Sequence, residues 1–310
     1  MSCIAIQTSG LSRSFGAVHA VDDVSLQVPT GTIFGFLGPN GSGKTTTIRL
    51  LLGLLEPDRG SATVLGFDTR KDADSIRQRT GALLEHAGLY ERLSAEDNLE
   101  FYARVWQMPA STRQERVKEL LTHLGLWERR SEQVGTWSRG MKQKLAVART
   151  MLHRPDLIFL DEPTAGLDPV ASAALRQDLT SLADKEGVTV FLTTHNLPEA
   201  EAVCDQVGVI RQGRLLAVDT PSGLRDHAGG RKVEVAGSGF NPEVLSELRQ
   251  RPEVADAAAQ NGNLIISLQG DEPVAPLVRL LVESGCEIEE VRKGAASLEA
   301  AFLALMEREA

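Results

Sequence analysis

The chain has 310 residues, a length that suits about two domains, and 42% of them are hydrophobic, which excludes a disordered or fibrous protein. Lys and Arg number 33 against 42 Asp and Glu, a net charge of −9 that argues against general binding to nucleic acid or anionic membrane while leaving room for a local basic patch. Cys3, Cys204 and Cys286 are the only cysteines, too scattered for a disulfide framework or a zinc site.

The N-terminus, MSCIAIQTSG, lacks the features of a signal peptide, and no apolar run approaches ~18 residues. A chain in a reducing, cytoplasmic compartment with no membrane span is expected. Residues 32–37 (TIFGFL) read as a strand that ends in a glycine-rich loop, and the loop opens an apolar helix over 46–55. Residues 86–150 show helical spacing and no clear strand, so they form a helical insertion. The runs at 157–160 (LIFL) and 188–193 (VTVFLT) are apolar without alternation, as in strands of a parallel sheet covered on both faces. Residues 207–210 and 215–218 flank Arg211-Gln212-Gly213-Arg214 and predict a hairpin. Thr220-Pro221-Ser222-Gly223 and Ala228-Gly229-Gly230 are punctuation and place a boundary at 220–230, giving domains 1–229 and 230–310. The tail is the more acidic part. It reads strand 231–236, helix 242–250, strands 254–259 and 263–268, helix 273–284, strand 286–292 and helix 297–308. The first six follow the split βαβ order of a ferredoxin-like unit. Ser297 is placed to cap the last helix. Its stripe of Leu298, Ala301, Phe302, Leu305 and Met306 is read as packing against the neighbouring domain.

Gly38-Pro39-Asn40-Gly41-Ser42-Gly43-Lys44-Thr45 matches the phosphate-loop pattern G-x-x-x-x-G-K-[ST] between a strand and a helix, the context that pattern needs. The glycines let backbone N–H groups turn toward phosphate oxygens, and the helix N-terminus beginning near Thr46 adds partial positive charge. Lys44 is placed to reach the β and γ phosphates, and the Thr45 hydroxyl to ligate Mg²⁺. Asp161 and Glu162 follow the strand 157–160. Asp161 would hold Mg²⁺, and Glu162 would orient and polarise the attacking water.

With these residues in hand, the sequence resembles the ATP-binding-cassette (ABC) ATPases, the nucleotide-binding subunits of ABC transporters, over about residues 4–229. Phe15 resembles the aromatic that stacks on adenine. Ser138-Arg139-Gly140-Met141 resembles the family's signature loop, Asp161-Glu162-Pro163-Thr164 its strand-end carboxylates, Asp168 its dimer-communication residue, and His195 its switch histidine. The signature departs from the usual Leu-Ser-Gly-Gly-Gln: Arg139 brings in a cation, which either assists phosphate binding or points to solvent. Glu85 stands where the family has a glutamine that senses the metal, and a carboxylate can also ligate Mg²⁺.

The resemblance implies an α/β fold, a P-loop NTPase cassette with a parallel-sheet core, an antiparallel β subdomain and a helical subdomain. It implies ATP and Mg²⁺ as cofactors, and catalytic roles for Lys44, Glu162 and His195. It further implies a second copy or a homologous subunit, whose bound ATP would meet Ser138–Met141 of this chain. A separate integral membrane permease is the other implied partner, holding the chain peripherally on the cytoplasmic face of the membrane. No nucleic acid is expected. A groove near Tyr90 and Leu93 is the expected permease contact, ordinary core being the alternative. More loosely, the tail resembles the α+β accessory domain of ATPases that export drugs or lipids. An exporter of a drug, lipid or polysaccharide is therefore expected. A soluble cassette ATPase is the first rival, opposed by the single phosphate loop, the absence of heptads and the negative charge. A nucleotide-gated scaffold without turnover is opposed by Glu162, and an importer subunit by the tail.

Overall fold

A computed structural model describes residues 3–227, 232–260, 263–269, 273–294 and 298–307. The chain divides into two compact units, Met1–Val218 and Asp219–Ala310.

The first unit opens with strands β1 (Ile4–Phe15), β2 (Val18–Val24), β3 (Gln27–Pro29) and β4 (Ile33–Leu37), then helix α1 (Lys44–Leu51). Strands β5 (Arg59–Val64) and β6 (Phe67–Asp68), helix α2 (Ala73–Arg79) and strand β7 (Thr80–Leu83) follow. Three helices, α3 (Ala95–Val105), α4 (Ala110–His123) and α5 (Arg139–Met151), come next with no strand between them. Strand β8 (Leu157–Asp161), helix α6 (Pro169–Glu186), strand β9 (Thr189–Thr194) and helix α7 (Leu197–Val203) return the chain to the core. Strands β10 (Gln206–Arg211) and β11 (Arg214–Asp219) end this stretch.

Two sheets result. One is antiparallel, in the order β2-β1-β5-β6 with β3 also on β1. The other has the order β11-β10-β4-β9-β8-β7, and its pairings from β10 to β7 are parallel. Every residue of β4 and β9 is buried, which is why their sequences are apolar without alternation. Phe34, Phe36 and Phe159 gather round Phe191 at centroid distances of 5.5–5.7 Å. The same core takes in Ile6, Leu11 and Val28 from the antiparallel sheet and Ile48 and Leu51 from α1. Each such side chain contributes roughly 1.5–3 kcal/mol by leaving water. Between β10 and β11, Gln212 (φ 48°) and Gly213 (φ 82°) are both left-handed, as a type I′ hairpin turn requires.

Helix limits differ from those the sequence pattern suggests. Helix α1 starts at Lys44 and stops at Leu51, because the left-handed Gly43 is its N-cap and Gly53 (φ 63°) turns the chain away. Helix α5 starts at Arg139 because the Ser138 hydroxyl caps it, accepting from Met141 N–H.

The helical insertion is tied to the core through the middle of α4. Arg116 is 2% exposed and donates to Glu186 at 2.6 and 2.8 Å, and also to the last carbonyls of α5, those of Met151 and Leu152. Nearby, burial would raise the Glu119 carboxyl, but hydrogen bonds from Lys185 and Arg116 prevail and hold it at about 2. His153 stacks on Trp106 at 3.8 Å and bonds the Thr80 carbonyl at 3.1 Å. Burial pushes its imidazole down to about 4.

The second unit begins with helix α8 (Pro221–His227) and strand β12 (Lys232–Ser238). Helix α9 (Pro242–Arg249), strands β13 (Val254–Gln260) and β14 (Asn263–Leu268), helix α10 (Ala275–Glu283), strand β15 (Glu287–Gly294) and helix α11 (Leu298–Glu307) complete it. Its sheet has the order β13-β14-β12-β15, every pairing antiparallel, which is the strand order of a split βαβ unit. Val233, Val235, Leu264 and Ile266 face Leu248, Leu277 and Leu281 of α9 and α10 across one core. Helix α11 packs on α8, and Leu224, Leu298 and Ala301 are buried. Thr220-Pro221, read from sequence as punctuation, is a helix start: the Thr220 hydroxyl accepts from Gly223 N–H at 2.9 Å, and Pro221 is the first helical residue. The cap assigned to Ser297 and the punctuation at Ala228-Gly229-Gly230 lie outside the described residues.

His153 supplies a test of the junction between the insertion and the core. Between its unfolded value of 6.5 and its folded value of about 4, the unfolded chain takes a proton that the folded chain refuses. This contribution to stability is therefore complete above the unfolded value and is lost as pH falls toward the folded one. In His153→Gln the acid-induced fall in melting temperature should be shallower than in the wild type; identical slopes would remove His153 as a source of the acid sensitivity.

Candidate functional site

The phosphate loop joins the C-terminal end of β4 to the N-terminus of α1. Gly43 has φ 107°, and a Cβ there would lie 2.1 Å from the Ala20 carbonyl, so only glycine lets the loop close against β2. Lys44 is buried, and its ammonium is held by the carbonyls of Gly38 (2.8 Å) and Pro39 (3.1 Å). Three donors on one cation leave capacity for an anion beside these carbonyls. Ser42 is also buried. The first N–H groups of a helix have no partner within it, so those of Lys44, Thr45 and Thr46 are available to phosphate oxygens.

Strand β8 delivers two carboxylates to the same end of the sheet. Asp161 accepts from the Thr45 hydroxyl at 2.6 Å. Its other oxygen accepts from the Thr193 hydroxyl at the end of β9. That hydroxyl accepts in turn from the Glu162 N–H at 3.0 Å. Glu162 has φ 49°, a left-handed conformation that costs a non-glycine residue roughly 1–3 kcal/mol. The turn swings its side chain between two bases: Lys44 Nζ lies 3.2 Å from one carboxylate oxygen and His195 Nδ1 lies 3.1 Å from the other. Lys44, Thr45, Asp161, Glu162 and His195 are thus one connected cluster at the carboxyl ends of β4, β8 and β9, where open α/β sheets receive ligands.

A cavity of about 410 Å³ lies over this cluster. Asn40, Gly41, Gly43, Lys44, Thr45, Thr46, Glu85, Arg139, Asp161 and Glu162 line it, joined by Val18, Ala20, Gln143 and Ala165. Phe15 is exposed one pairing away, directly across from Val18, with the Arg13 guanidinium 5.2 Å from its ring. Glu85 pairs with Arg49 at 3.2 Å. Arg139 lies against Gly166, with its guanidinium 2.3 Å from where a Cβ would stand; the left-handed backbone of Gly166 (φ 70°) is what disfavours a side chain there. Arg139 stands on the cavity wall.

Ser138 and Asp168 do not line the cavity. Both cap helices, Asp168 accepting from Ala171 N–H at 2.9 Å with Pro169 in the first turn. Gly140 and Met141 lie in the first turn of α5, and the Gly140 Cα faces the Ala171 methyl. Near the expected permease contact, Tyr90 is exposed and meets Phe101 edge to face at 4.9 Å; Phe101 and Val105 are exposed too. Leu93 is half-buried, and its carbonyl accepts from Val134 N–H.

Sequence reasoning gave no role to Thr193, Glu199, Val18 and Ala20, and named Thr164 only as the end of the strand-end carboxylate motif. One signal was available for Thr193: a hydroxyl residue at the end of an otherwise apolar, fully buried strand needs partners.

A family profile described as ABC transporter matches residues 21–165. The chain is 34% identical over 301 residues to the bacitracin transport ATP-binding protein BcrA of Bacillus licheniformis, covering 97% of each chain. It is 35% identical to the daunorubicin/doxorubicin resistance ATP-binding protein DrrA of Streptomyces peucetius, over 97% of this chain and 92% of that one. It is 30% identical to the linearmycin resistance ATP-binding protein LnrL of Bacillus subtilis (strain 168), over 90% of each. Among solved structures, an ATP binding subunit of an ABC transporter superposes with a TM-score of 0.64 at 31% identity, over 72% of this chain and 92% of that one. Another, cbiO1 of Clostridium perfringens, superposes with a TM-score of 0.67 at 25% identity, over 71% and 90%.

The Thr193 link is testable without a ligand. Thr193→Val keeps the shape but leaves Asp161 and the Glu162 N–H each short of one partner. Stability to chemical denaturation should fall by about 1–3 kcal/mol; an unchanged midpoint and slope would show that the hydroxyl holds neither.

Proposed function

The chain belongs to the ABC transporter family as an ATP-binding subunit, and on that premise we propose that it powers export of a drug- or antibiotic-class compound through a separate membrane permease. Subunits of this family bind ATP and hydrolyse it to drive transport. The export reading is supported by the relatives named for bacitracin transport and for daunorubicin and linearmycin resistance, which match this chain nearly end to end, tail included. A contact with a membrane partner is supported by the exposed Tyr90, Phe101 and Val105 on the helical insertion. Among the described residues no helix is long and apolar enough to cross a membrane, so the pathway for the compound would belong to that partner. The chain itself would sit peripherally on the cytoplasmic face.

The observation that carries the catalytic reading is the position of Glu162 between Lys44 and His195. A triphosphate laid along the loop offers Lys44 a competing anion. Glu162, relieved of that cation, keeps His195 and faces the space beside the terminal phosphate, where it orients and polarises water. Loop amides and Lys44 hold the phosphates; His195 fixes the Glu162 carboxylate from its other side. The Thr45 hydroxyl and Asp161 carboxylate, 2.6 Å apart, are hard oxygen donors, and few in number, as suits Mg²⁺ that arrives with substrate phosphates. When bound, Mg²⁺ would neutralise charge developing on those phosphates. Glu85, on the same cavity wall, adds a third oxygen donor. Phe15 would stack on the base. A second copy of the chain, or a homologous subunit, would close over the nucleotide with Ser138, Arg139, Gly140 and Met141 at the N-terminus of its α5, and Asp168 would lie at that junction. ATP would join the two subunits and hydrolysis would part them.

Three variants test the site. Glu162→Gln should abolish phosphate release while giving an ATP-stabilised dimer on size exclusion; wild-type turnover would rule Glu162 out as the base. Lys44→Ala should lose most affinity for magnesium-bound ATP, and unaltered affinity would overturn the loop assignment. For Glu85, replacement by Gln should keep ATPase activity but shift its Mg²⁺ titration, and a superimposable titration would exclude a metal role.

A further inference from the structure

Glu199, on α7, is 2% exposed and belongs to none of the motifs described above. One of its oxygens, Oε2, accepts two hydrogen bonds, from the Thr164 hydroxyl at 2.8 Å and from the Thr194 hydroxyl at 2.9 Å. Both threonines are buried. Each stands beside a residue of the candidate catalytic cluster. Thr164 is two residues beyond Glu162, within the turn that runs on to Asp168. Thr194 immediately precedes His195. The hydroxyl of Thr194 also accepts from the Asn196 N–H at 2.9 Å, and the Asn196 side chain accepts from the Glu199 N–H at 3.3 Å.

His195 is thus pinned on both chain neighbours while its own ring is 55% exposed. Glu162 has the complementary problem. Its left-handed backbone is strained and persists only where surrounding contacts over-determine it. Thr193 holds the turn from its N-terminal side, through the Glu162 N–H. Glu199 holds it from the C-terminal side, through Thr164. A carboxyl group taken this far out of water is costly unless it is hydrogen-bonded, and here Oε2 receives its two donors from the two loops that carry Glu162 and His195.

We propose that Glu199 is a positioning residue for ATP hydrolysis: by accepting the Thr164 and Thr194 hydroxyls at one oxygen, it fixes the distance between Glu162 and His195. This rests on the assignment of Glu162 and His195 made above. Glu199 touches none of the phosphate-loop residues, so its role is confined to the geometry of water attack. Nucleotide binding, which falls to Lys44 and the loop amides, is independent of it.

The test is steady-state phosphate release by the full chain with magnesium-bound ATP. Glu199→Ala should lower kcat by roughly 10²-fold, the scale of a small misplacement of catalytic groups, and leave KM for ATP within about threefold. Glu199→Gln retains an oxygen able to accept both hydroxyls and should recover kcat to within about tenfold of wild type. Thr164→Val combined with Thr194→Val removes the donors while conserving shape. It should reproduce the Glu199→Ala loss, and adding Glu199→Ala to it should cost little more. The threonine pair also decides the matter if Glu199→Ala fails to fold. Wild-type kcat in the threonine pair, a loss that falls on KM alone, or a Gln variant as impaired as the Ala variant would each overturn the proposal. The two assignments fail separately: wild-type turnover in Glu162→Gln removes the base, whereas wild-type turnover in folded Glu199→Ala removes the clamp.

Discussion

A bond from one buried hydroxyl sets the spacing on which the catalytic cluster depends. Thr193, at the end of β9, donates to Asp161 and accepts from the Glu162 N–H. The two acidic residues are neighbours in the chain, yet they have to face different partners. Asp161 continues the strand and points to the Thr45 hydroxyl at the start of α1. Glu162 leaves the strand through a left-handed turn and reaches Lys44 and His195. Without a fixed point between them, an extended strand would simply place successive side chains on opposite faces. The hydroxyl holds the point where strand geometry ends and the turn begins.

The parallel sheet makes that bond possible. Strand β9 lies between β4 and β8, so the phosphate loop, the acidic pair and the histidine all emerge at one edge. The full burial of β4 and β9 makes their register rigid, because a shift would drag packed phenylalanines through a close-packed interior. Short polar contacts at the edge inherit that rigidity.

The helical insertion is held by different physics. Arg116 is a buried cation paired with both Glu186 and Glu119 and bonded to two helix-end carbonyls. Such a cluster adds little net stability, but removing Arg116 would leave the buried Glu186 carboxylate without its cation, an expensive loss. It therefore specifies where α4 meets the ends of α5 and α6. The N-terminus of α5, which carries Ser138 and Arg139, lies at the other end of that helix from this anchor. In the second unit, antiparallel strands with one face under α9 and α10 give the alternating pattern of β14, a contrast with the fully buried β4 and β9.

The phosphate loop, the acidic pair after an apolar strand, the β10–β11 hairpin and the strand-and-helix order of the tail are legible in the order of amino acids alone. Each is a local pattern: a motif of fixed spacing, a period of burial, or a turn that needs a left-handed residue. Which side chains meet is settled by packing in three dimensions. Thr45 and Asp161 are 116 residues apart, and Thr164 and Glu199 are 35 apart. Arg139 rests on Gly166 for lack of a side chain there, and Thr220-Pro221 starts a helix where composition suggested a break. The reason is physical. Periodicity says which face of an element is buried, but a hydrogen bond near 2.8 Å depends on which strands become neighbours and how closely they pack. In this fold β4, which carries the phosphate loop, lies between β9 and β10, strands far from it in the chain.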